Sequence, residues 1–458
     1  MQVAERKVKV TAFGCQMNER DAETITGFLE KLGYAPTDSL DDADMVIFVT
    51  CCVRESAENR ALANLADTKA LKRRRTGLVI GICGCMVQQK KMQEYIREKM
   101  PWVDLVFGTH NIHRLPELVS RVLAGERVIE VWDEPGEIVS DVPAVRTSKI
   151  SAYVNVTYGC DNFCSYCIVP YVRGRERSRT VEEVLGEVRD LASRGYREVT
   201  LLGQNVNSYG RGLPPLASGK RPDFAHLLRE VDKIPGLVRV RFTTSHPKDM
   251  SDELIDTIAG ARKVCEHFHL PLQAGGDRVL ERMNRGYTSA QYLNLVERIR
   301  RAIENAAITT DIMVGFPGET EEDFQGTLEV VRLARFDAAF TFIYSPREGT
   351  KAATMPDQVP HDVKHERIYR LIELVNETAR EVNERLRGAV VEVMVEGPSD
   401  RDPSVLAGRT RTNKMVHWKP PHPVSPGDLV LVRIDEPHTW TLHGTQVGEG
   451  DTSWRSKP

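Results

Sequence analysis

The chain has no run of about 18 apolar residues in its 458 positions, so the sequence predicts no transmembrane helix. Its N-terminal stretch, MQVAERKVKVTAF, is charged and has no apolar core of the kind that a secretory signal carries. Cysteine is scarce, with nine residues, and an odd number without a signal argues against a disulfide framework. We therefore expect a reducing compartment, the cytoplasm, where clustered cysteines serve as metal ligands or catalytic thiols.

The chain also lacks a strong excess of charge of either sign, since its net charge is −3. Any binding to nucleic acid must therefore come from local basic patches. Hydrophobic residues make up 41% and charged residues 28%, which is ordinary for a globular protein with real cores. The length predicts about three domains.

The predicted fold class is α/β in three parts. Residues 6–124 alternate short β-branched runs with helical stretches, which indicates a parallel α/β sheet domain, and 125–145 are expected to form a linker. Residues 146–376 repeat the alternation six times, which predicts a central partial (β/α)6 barrel. Residues 379–448 carry short strands with turn signals, typical of a small antiparallel β-barrel.

One loop concentrates cysteine in the middle domain. YGCDNFCSYC places Cys160, Cys164 and Cys167 at C-x3-C-x2-C spacing, directly after the first predicted strand of that domain. A helix with small core residues would explain the spacing, but three cysteines within eight residues are improbable by chance in this chain. A structural zinc site takes four protein ligands, and the loop offers no fourth. Three thiolates suit an iron–sulfur cluster with one open iron.

This motif resembles the radical S-adenosylmethionine (SAM) superfamily. The resemblance implies a [4Fe–4S] cluster whose open iron is chelated by SAM, and reductive cleavage of SAM to a 5′-deoxyadenosyl radical. LLGQNVNSYG puts Gln204 and Asn205 where the superfamily contacts SAM, and TTDIMVGFPGET, with Gly315, resembles the strand that flanks the adenine. Ordinary loop capping is the competing interpretation of these polar residues.

Five further cysteines lie at the carboxyl ends of three predicted strands of the N-terminal domain: Cys15, Cys51, Cys52, Cys83 and Cys85. The carboxyl ends of parallel strands meet at one edge of a sheet, so these positions can converge. Adjacent residues of an extended strand face opposite sides, so we do not expect both Cys51 and Cys52 to bind. Cys85 is favoured over Cys83, which lies inside an apolar run. Burial in the core is the alternative for some of them, and it is our expectation for Cys265.

The pattern is similar to that of the methylthiotransferases, and it implies that Cys15, Cys51 and Cys85 hold an auxiliary [4Fe–4S] cluster. The resemblance also implies two SAM molecules per turnover. One methylates a sulfur on the auxiliary cluster, and the other yields the radical that removes an unactivated hydrogen. Cys52 departs from the family pattern, in which a small residue is more usual.

Basic residues occur in two places that suit RNA. Arg173, Arg175, Arg177 and Arg179 are spaced by two after the cysteine loop, so in extended chain they would line one edge. LAGRTRTNKMVHW, with Arg409, Arg411, Lys414 and Trp418, resembles the RNA-binding TRAM domain. A solvated barrel face is the alternative.

The motifs GCQMNERD, TCCVRE and LPLQAGGDRVLERMNRGYT most resemble the methylthiotransferase branch that acts on N6-isopentenyladenosine next to the anticodon of tRNA. The implied partners are the tRNA anticodon stem-loop, a flavodoxin- or ferredoxin-like electron donor and a sulfur source. Sibling enzymes acting on threonylcarbamoyl-adenosine or on a ribosomal-protein aspartate are the nearest alternative. A non-enzymatic iron–sulfur RNA-binding protein is the alternative from another class.

Overall fold

The computed structural model describes residues 6–53, 55–136, 138–139 and 142–449. Arg54 of the TCCVRE motif and positions 137, 140 and 141 of the predicted linker lie outside the described residues. The chain divides into a first unit (Met1–Ser148, Thr157–Phe163 and Cys167–Arg179) and a second unit (Lys149–Val156, Cys164–Tyr166 and Thr180–Pro458). Among the described helices, none has the length and apolar character that crossing a membrane requires.

Strands and helices alternate along the first two thirds of the chain, and strands alone make up its C-terminal part after a long helix. The strands are β1 (Arg6–Ala12), β2 (Tyr34–Pro36), β3 (Met45–Thr50), β4 (Val79–Gly84), β5 (Leu105–Phe107), β6 (Val128–Glu130), β7 (Ser151–Asn155), β8 (Thr157–Tyr158), β9 (Arg177–Ser178), β10 (Glu198–Leu202), β11 (Arg239–Thr243), β12 (His267–His269), β13 (Ala307–Val314), β14 (Ala338–Ile343), β15 (Val390–Pro398), β16 (Leu406–Thr410), β17 (Met415–Lys419), β18 (Leu429–Pro437) and β19 (Thr441–Glu449). The helices are α1 (Gln16–Lys31), α2 (Glu55–Arg74), α3 (Lys90–Lys99), α4 (Leu115–Leu123), α5 (Val169–Val172), α6 (Val181–Ser193), α7 (Phe224–Asp232), α8 (Asp252–Gly260), α9 (Asp277–Arg282), α10 (Ser289–Ala302), α11 (Glu321–Ala334) and α12 (His361–Glu384).

The first unit contains a six-stranded parallel sheet in the order β2-β1-β3-β4-β5-β6. Every residue of β3 and β4 is buried, because helices cover both faces of a parallel sheet. Strands β2 and β6 have only three residues each, which is too short to show a period in the sequence. β6 lies inside the segment that we expected to be a linker.

The second unit begins with two three-stranded parallel sheets, β7-β10-β11 and β12-β13-β14, which a bridge between Val240 and Val264 joins. Helices α6, α10 and α11 each start with a threonine capping box, at Thr180, Thr288 and Thr320. Each box satisfies orphan N–H groups at the start of its helix. Alternate strand residues such as Ile308 and Ile312 are buried in the core cluster beneath these helices.

The C-terminal strands close into a barrel in the order β15-β16-β17-β19-β18. Its pairs are antiparallel except β17 with β19, which run parallel. The barrel core contains Val393, Val416, Trp418 and Ile434. The predicted fold class is confirmed, with this one parallel pair as a difference within the small barrel.

Candidate active site

Three loops at the carboxyl edge of the six-stranded sheet carry the N-terminal cysteines. Cys15 follows β1, Cys51 follows β3 and Cys85 follows β4, and these three strands are neighbours. Gly14 has φ 108°, and a Cβ there would lie 2.4 Å from Cβ of Cys51. Only glycine therefore allows the Cys15 loop to approach Cys51 this closely.

The thiols of this edge form two hydrogen-bonded pairs. The hydrogen bond with Cys51 lowers the pKa of Cys15 to about 6 and raises the pKa of Cys51. The hydrogen bond with Cys52 likewise lowers the pKa of Cys85 and raises that of Cys52. Cys15 and Cys85 are thus the members that favour the thiolate, which is the form that binds metal.

Cys52 is placed differently from our expectation. We expected Cys51 and Cys52 to face opposite sides of a strand, but β3 ends at Thr50 and both lie beyond it. Alternation no longer applies there, so both thiols contact other cysteines. Cys83 is different, because its Sγ lies 3.7 Å from the Gly108 carbonyl oxygen and burial raises its pKa.

Across the described residues, no group of three or more His, Cys, Asp or Glu side chains is arranged to hold a metal ion. An iron–sulfur cluster is held by thiolates on different irons, so its ligands need not converge on a single atom. The relevant test is the chemistry of the donors. Soft thiols from three neighbouring loops, two of them with lowered pKa, fit the ligand set of such a cluster.

Arg173 adds a positive charge to this group of thiols. Its Nε donates to Sγ of Cys85 at 3.1 Å, and its Nη2 donates to Asp21 at 2.8 Å and to Asn18 at 2.9 Å. Burial alone would lower the pKa of Arg173, but Asp21, Cys85 and Cys15 outweigh it and raise this pKa well above its ordinary value. The expectation that Arg173 faces RNA is therefore wrong, because its side chain is buried and its Nε and Nη2 donate within the protein.

The C-x3-C-x2-C loop also has an arginine beside a thiol. Nη1 of the buried Arg285 lies 3.3 Å from Sγ of Cys164, and its Nη2 donates to the Pro271 carbonyl at 2.8 Å. Cys160 and Cys167 belong to the first unit and Cys164 to the second. Cys160 and Cys164 are buried, and Cys167 is half-buried. Sequence reasoning missed Arg285, although it lies in the quoted RMNRGYT segment.

The residues expected to contact SAM differ in what their side chains do. Gln204 is half-buried just beyond β10. Asn205 is almost fully buried, and its amide is used within the protein: Nδ2 donates to Asp249 at 2.7 Å, and Oδ1 accepts from the N–H of His246 at 3.0 Å. The expectation for Asn205 is corrected accordingly, because it positions the loop after β11.

Gly315 lies directly after β13 with φ 74°. A Cβ there would lie 2.3 Å from Cγ of Lys364, so a larger residue would clash with this side chain of α12. Its N–H donates to the carboxylate of Glu319 at 2.9 Å. Glycine is therefore favoured at this position, because it allows both the positive φ and the close approach of Lys364.

The remaining arginines of the basic loop do not form one edge. Helix α5 and the positive φ of Gly174 turn the chain before β9, so the spacing of two does not translate into a common direction. Arg175 is exposed and pairs with Asp161 at 2.7 Å. Arg177 is partly buried and donates to the Gly136 carbonyl, and Arg179 is buried.

The C-terminal residues expected to bind RNA mostly serve the protein itself. Trp418 is 2% exposed in the barrel core and donates to Gln446, so its ring cannot stack on a base. Lys414 pairs with Asp337 at 2.6 Å, and Arg411 is bound twice by Glu266. Arg409 pairs with Glu396 at 3.1 Å but remains partly exposed. The expectation is wrong for Trp418, since burial removes it from any surface.

Hydrogen bonds from arginine side chains of β11 to backbone carbonyls hold the small C-terminal barrel against the second unit's parallel strands. Arg239 donates to the Arg409 carbonyl at 2.6 Å, and Arg241 donates to the carbonyls of Thr410 and Arg411 at 2.7 and 2.9 Å. Arg241 also pairs with Glu198 at 2.6 Å. The turn between β16 and β17 thus closes this end of the second unit.

Three family models match the chain. The model of the uncharacterized protein family UPF0004 matches residues 7–108, that of the radical SAM superfamily 154–331, and that of the TRAM domain 384–447. A tRNA-2-methylthio-N(6)-dimethylallyladenosine synthase of Alkaliphilus oremlandii (strain OhILAs) is 52% identical over 97% of this chain and 93% of its own length. The synthase of the same name from Carboxydothermus hydrogenoformans is 52% identical over 97% of this chain and its full length. The chain belongs to this synthase family.

A solved structure similar to this family member is the radical S-adenosylmethionine methyltransferase TsrM from Kitasatospora setae. The TM-score is 0.54 at 16% identity, covering 76% of this chain and 74% of that chain. This likeness concerns the fold alone. The names of the similar synthases support the isopentenyl-adenosine branch over its siblings.

Proposed function

We propose that the protein is a radical SAM enzyme that replaces the C2 hydrogen of N6-isopentenyladenosine in tRNA with a methylthio group. The observation that carries the proposal is 52% identity, over nearly the whole chain, to synthases named for this product. The modified nucleoside is the one adjacent to the anticodon on its 3′ side. A C2 hydrogen on the purine ring is not acidic enough for a general base, so radical chemistry is needed.

Six cysteines would hold two [4Fe–4S] clusters, Cys160, Cys164 and Cys167 one of them and Cys15, Cys51 and Cys85 the other. When bound, the first supplies the electron that cleaves SAM and the second carries the sulfur. Two features of the chain support this assignment: the lowered pKa values of Cys15 and Cys85, and the buried arginines beside Cys85 and Cys164.

The protein side chains have supporting tasks in this scheme. Arg173 and Arg285 place a guanidinium beside one thiol in each set, and their N–H groups orient the lone pairs of that sulfur. Asn205 holds the loop after β11, and Gly315 leaves room at the end of β13. Gln204 and Gly315 remain our candidates for contact with SAM.

The partners belong to the same proposal. The substrate is the anticodon stem-loop of tRNA, the reductant a flavodoxin- or ferredoxin-like protein, and a separate donor restores the sulfur. We place the reaction in the cytoplasm. Arg175 and Arg409 are the members of the predicted RNA-binding set that keep exposed charge for phosphates.

Mass spectrometry of tRNA nucleosides tests the function. Protein reconstituted without oxygen and supplied with SAM and reductant should convert N6-isopentenyladenosine to its 2-methylthio derivative. Cys164→Ala should abolish 5′-deoxyadenosine formation. Cys85→Ala should retain that formation and lose the methylthio product.

Cys83→Ala is the matched control for Cys85→Ala. Cys83 is two residues away, but its thiol contacts the Gly108 carbonyl oxygen and not another cysteine. It should keep both products. Methylthio product at the wild-type rate from Cys85→Ala protein would contradict the assignment of the second cysteine set.

A further inference from the structure

The inward face of β12, β13 and β14 carries polar and aromatic side chains that the roles above leave unused. Outward residues of β13, such as Ile308 and Ile312, are buried under the helices. The alternate residues Thr309, Asp311 and Met313 are therefore on the opposite, inward face, and they are partly exposed. A ligand inside the barrel would meet this face.

Asp311 has one oxygen that is paired and one that is not. Its Oδ2 lies 3.5 Å from Nε2 of His269, and Nδ1 of His269 lies 3.1 Å from the Thr309 hydroxyl. The other oxygen, Oδ1, is buried and has no hydrogen-bond partner. A buried carboxylate oxygen without a donor is costly, so this oxygen is suited to accept a hydrogen bond from a ligand.

An apolar surface lies directly beside this oxygen. Phe340 is opposite Asp311 in the register of β13 with β14, and it is 51% exposed. Its ring lies 6.1 Å from that of His269 at 70°. A large phenylalanine that is exposed on an inward face has apolar area that a bound ligand can cover.

We propose that Asp311 and Phe340 bind the target nucleobase, with Asp311 Oδ1 accepting the N6–H and Phe340 packing against the isopentenyl-bearing edge. This rests on the proposed function. N6-isopentenyladenine keeps a single hydrogen on N6, which matches one free acceptor, and its substituent is apolar. His269 is a positioning residue that fixes the carboxylate of Asp311.

The same geometry disfavours the substrate of the sibling enzymes. A threonylcarbamoyl group carries a carboxylate of its own, which would lie against Asp311 and beside an apolar ring. Like charges in a partly desolvated site repel, and the apolar ring offers that carboxylate no hydrogen-bond donor. This pair of residues would thus select the isopentenyl group over the acidic one.

The test is the affinity of the cluster-loaded, full-length protein for two anticodon stem-loops, one with N6-isopentenyladenosine and one with unmodified adenosine, both with SAM present. Phe340→Ala should weaken binding of the isopentenyl RNA about tenfold and change binding of the unmodified RNA much less. Asp311→Ala should weaken binding of both RNAs, because unmodified adenosine also has an N6–H that the carboxylate accepts. Asp311→Asn keeps an acceptor oxygen and should recover most of the loss.

Two exposed positions on outer helices supply matched controls, Leu333→Ala on α11 and Asp256→Asn on α8. Both should bind like the wild type. Iron content and SAM affinity should be unchanged in every variant. The proposal is overturned if Phe340→Ala keeps wild-type selectivity, if Asp311→Ala binds both RNAs like the wild type, or if either variant weakens SAM binding instead. Wild-type protein that neither prefers the isopentenyl RNA nor thiomethylates it would overturn the proposed function itself.

Discussion

The guanidinium of Arg173 is a buried charge, since the side chain is only 6% exposed. Its partners are Asp21, Asn18 and the Cys85 thiol, so the guanidinium is held by an ion pair on one side and contacts a sulfur on the other. Hydrogen bonds to ligand sulfurs raise the reduction potential of iron–sulfur clusters. The residue therefore has two separable effects, one on stability and one on the sulfur.

Arg173→Met should separate these effects. Removing one member of a buried ion pair leaves Asp21 uncompensated, which we expect to cost about 3 kcal/mol of unfolding free energy. The double variant Asp21→Asn with Arg173→Met should recover most of that stability, since no unpaired charge remains. Neither variant should regain the wild-type reduction potential of the second cluster, measured by redox titration. A double variant with both properties restored would contradict a role at the sulfur.

At the residue scale, buried histidine gives the protein a pH dependence. Burial, with Arg285, Lys248 and Arg211, lowers the pKa of His246 to about 2. Its Nδ1 accepts the N–H of Lys248 at 3.3 Å, which also requires the neutral ring. An unfolded histidine protonates near pH 6.5, so the unfolded state binds a proton that the folded state does not bind.

Stability should therefore fall as pH decreases below 6.5, by up to about 1.4 kcal/mol per pH unit from this histidine. His246→Asn keeps an acceptor for the Lys248 N–H and does not titrate. Its unfolding free energy should fall less steeply between pH 6.5 and pH 5, measured in urea. Parallel slopes for the two proteins would contradict this assignment. The comparison is made at matched pH, so other titrating groups cancel.

At the scale of elements, strand positions were predictable where the pattern was long enough. The buried runs of β3 and β4 and the alternation of β13 each span six or more residues. The three-residue strands β2 and β6 carry no period, so only pairing in the sheet reveals them. Cys52 shows a related limit, because one residue beyond a strand end decides whether alternation applies.

Side-chain roles were harder to predict than strands. Arg173 and Arg177 lie four apart in the sequence, but a short helix and Gly174 turn the chain before β9 and separate their directions. Trp418 lies on a strand of a small barrel, where inward and outward positions differ by one residue. Composition cannot distinguish these positions, because the number of aromatic residues is the same whichever way the strand faces.

At the scale of the whole molecule, a net charge of −3 means that tRNA must be held by a few local cations. Arg175 has a side chain that is 72% exposed and lies over the ring of Phe163. Arg175→Ala should weaken tRNA binding and lower the slope of log K against log salt by about one. Arg301→Ala, an exposed arginine of α10 paired with Glu297, is the control and should keep the slope. An unchanged slope for Arg175→Ala would remove this residue from the interface.

The turn between β16 and β17, held by Arg239 and Arg241, has a consequence for the architecture of the enzyme. The small C-terminal barrel covers one end of the parallel strands, since its backbone carbonyls accept hydrogen bonds from donors of Arg239 and from Nη1 and Nη2 of Arg241. It cannot be exchanged as a loose module for another RNA-binding appendage. A working chimera would have to bring its own turn to cover those guanidinium groups.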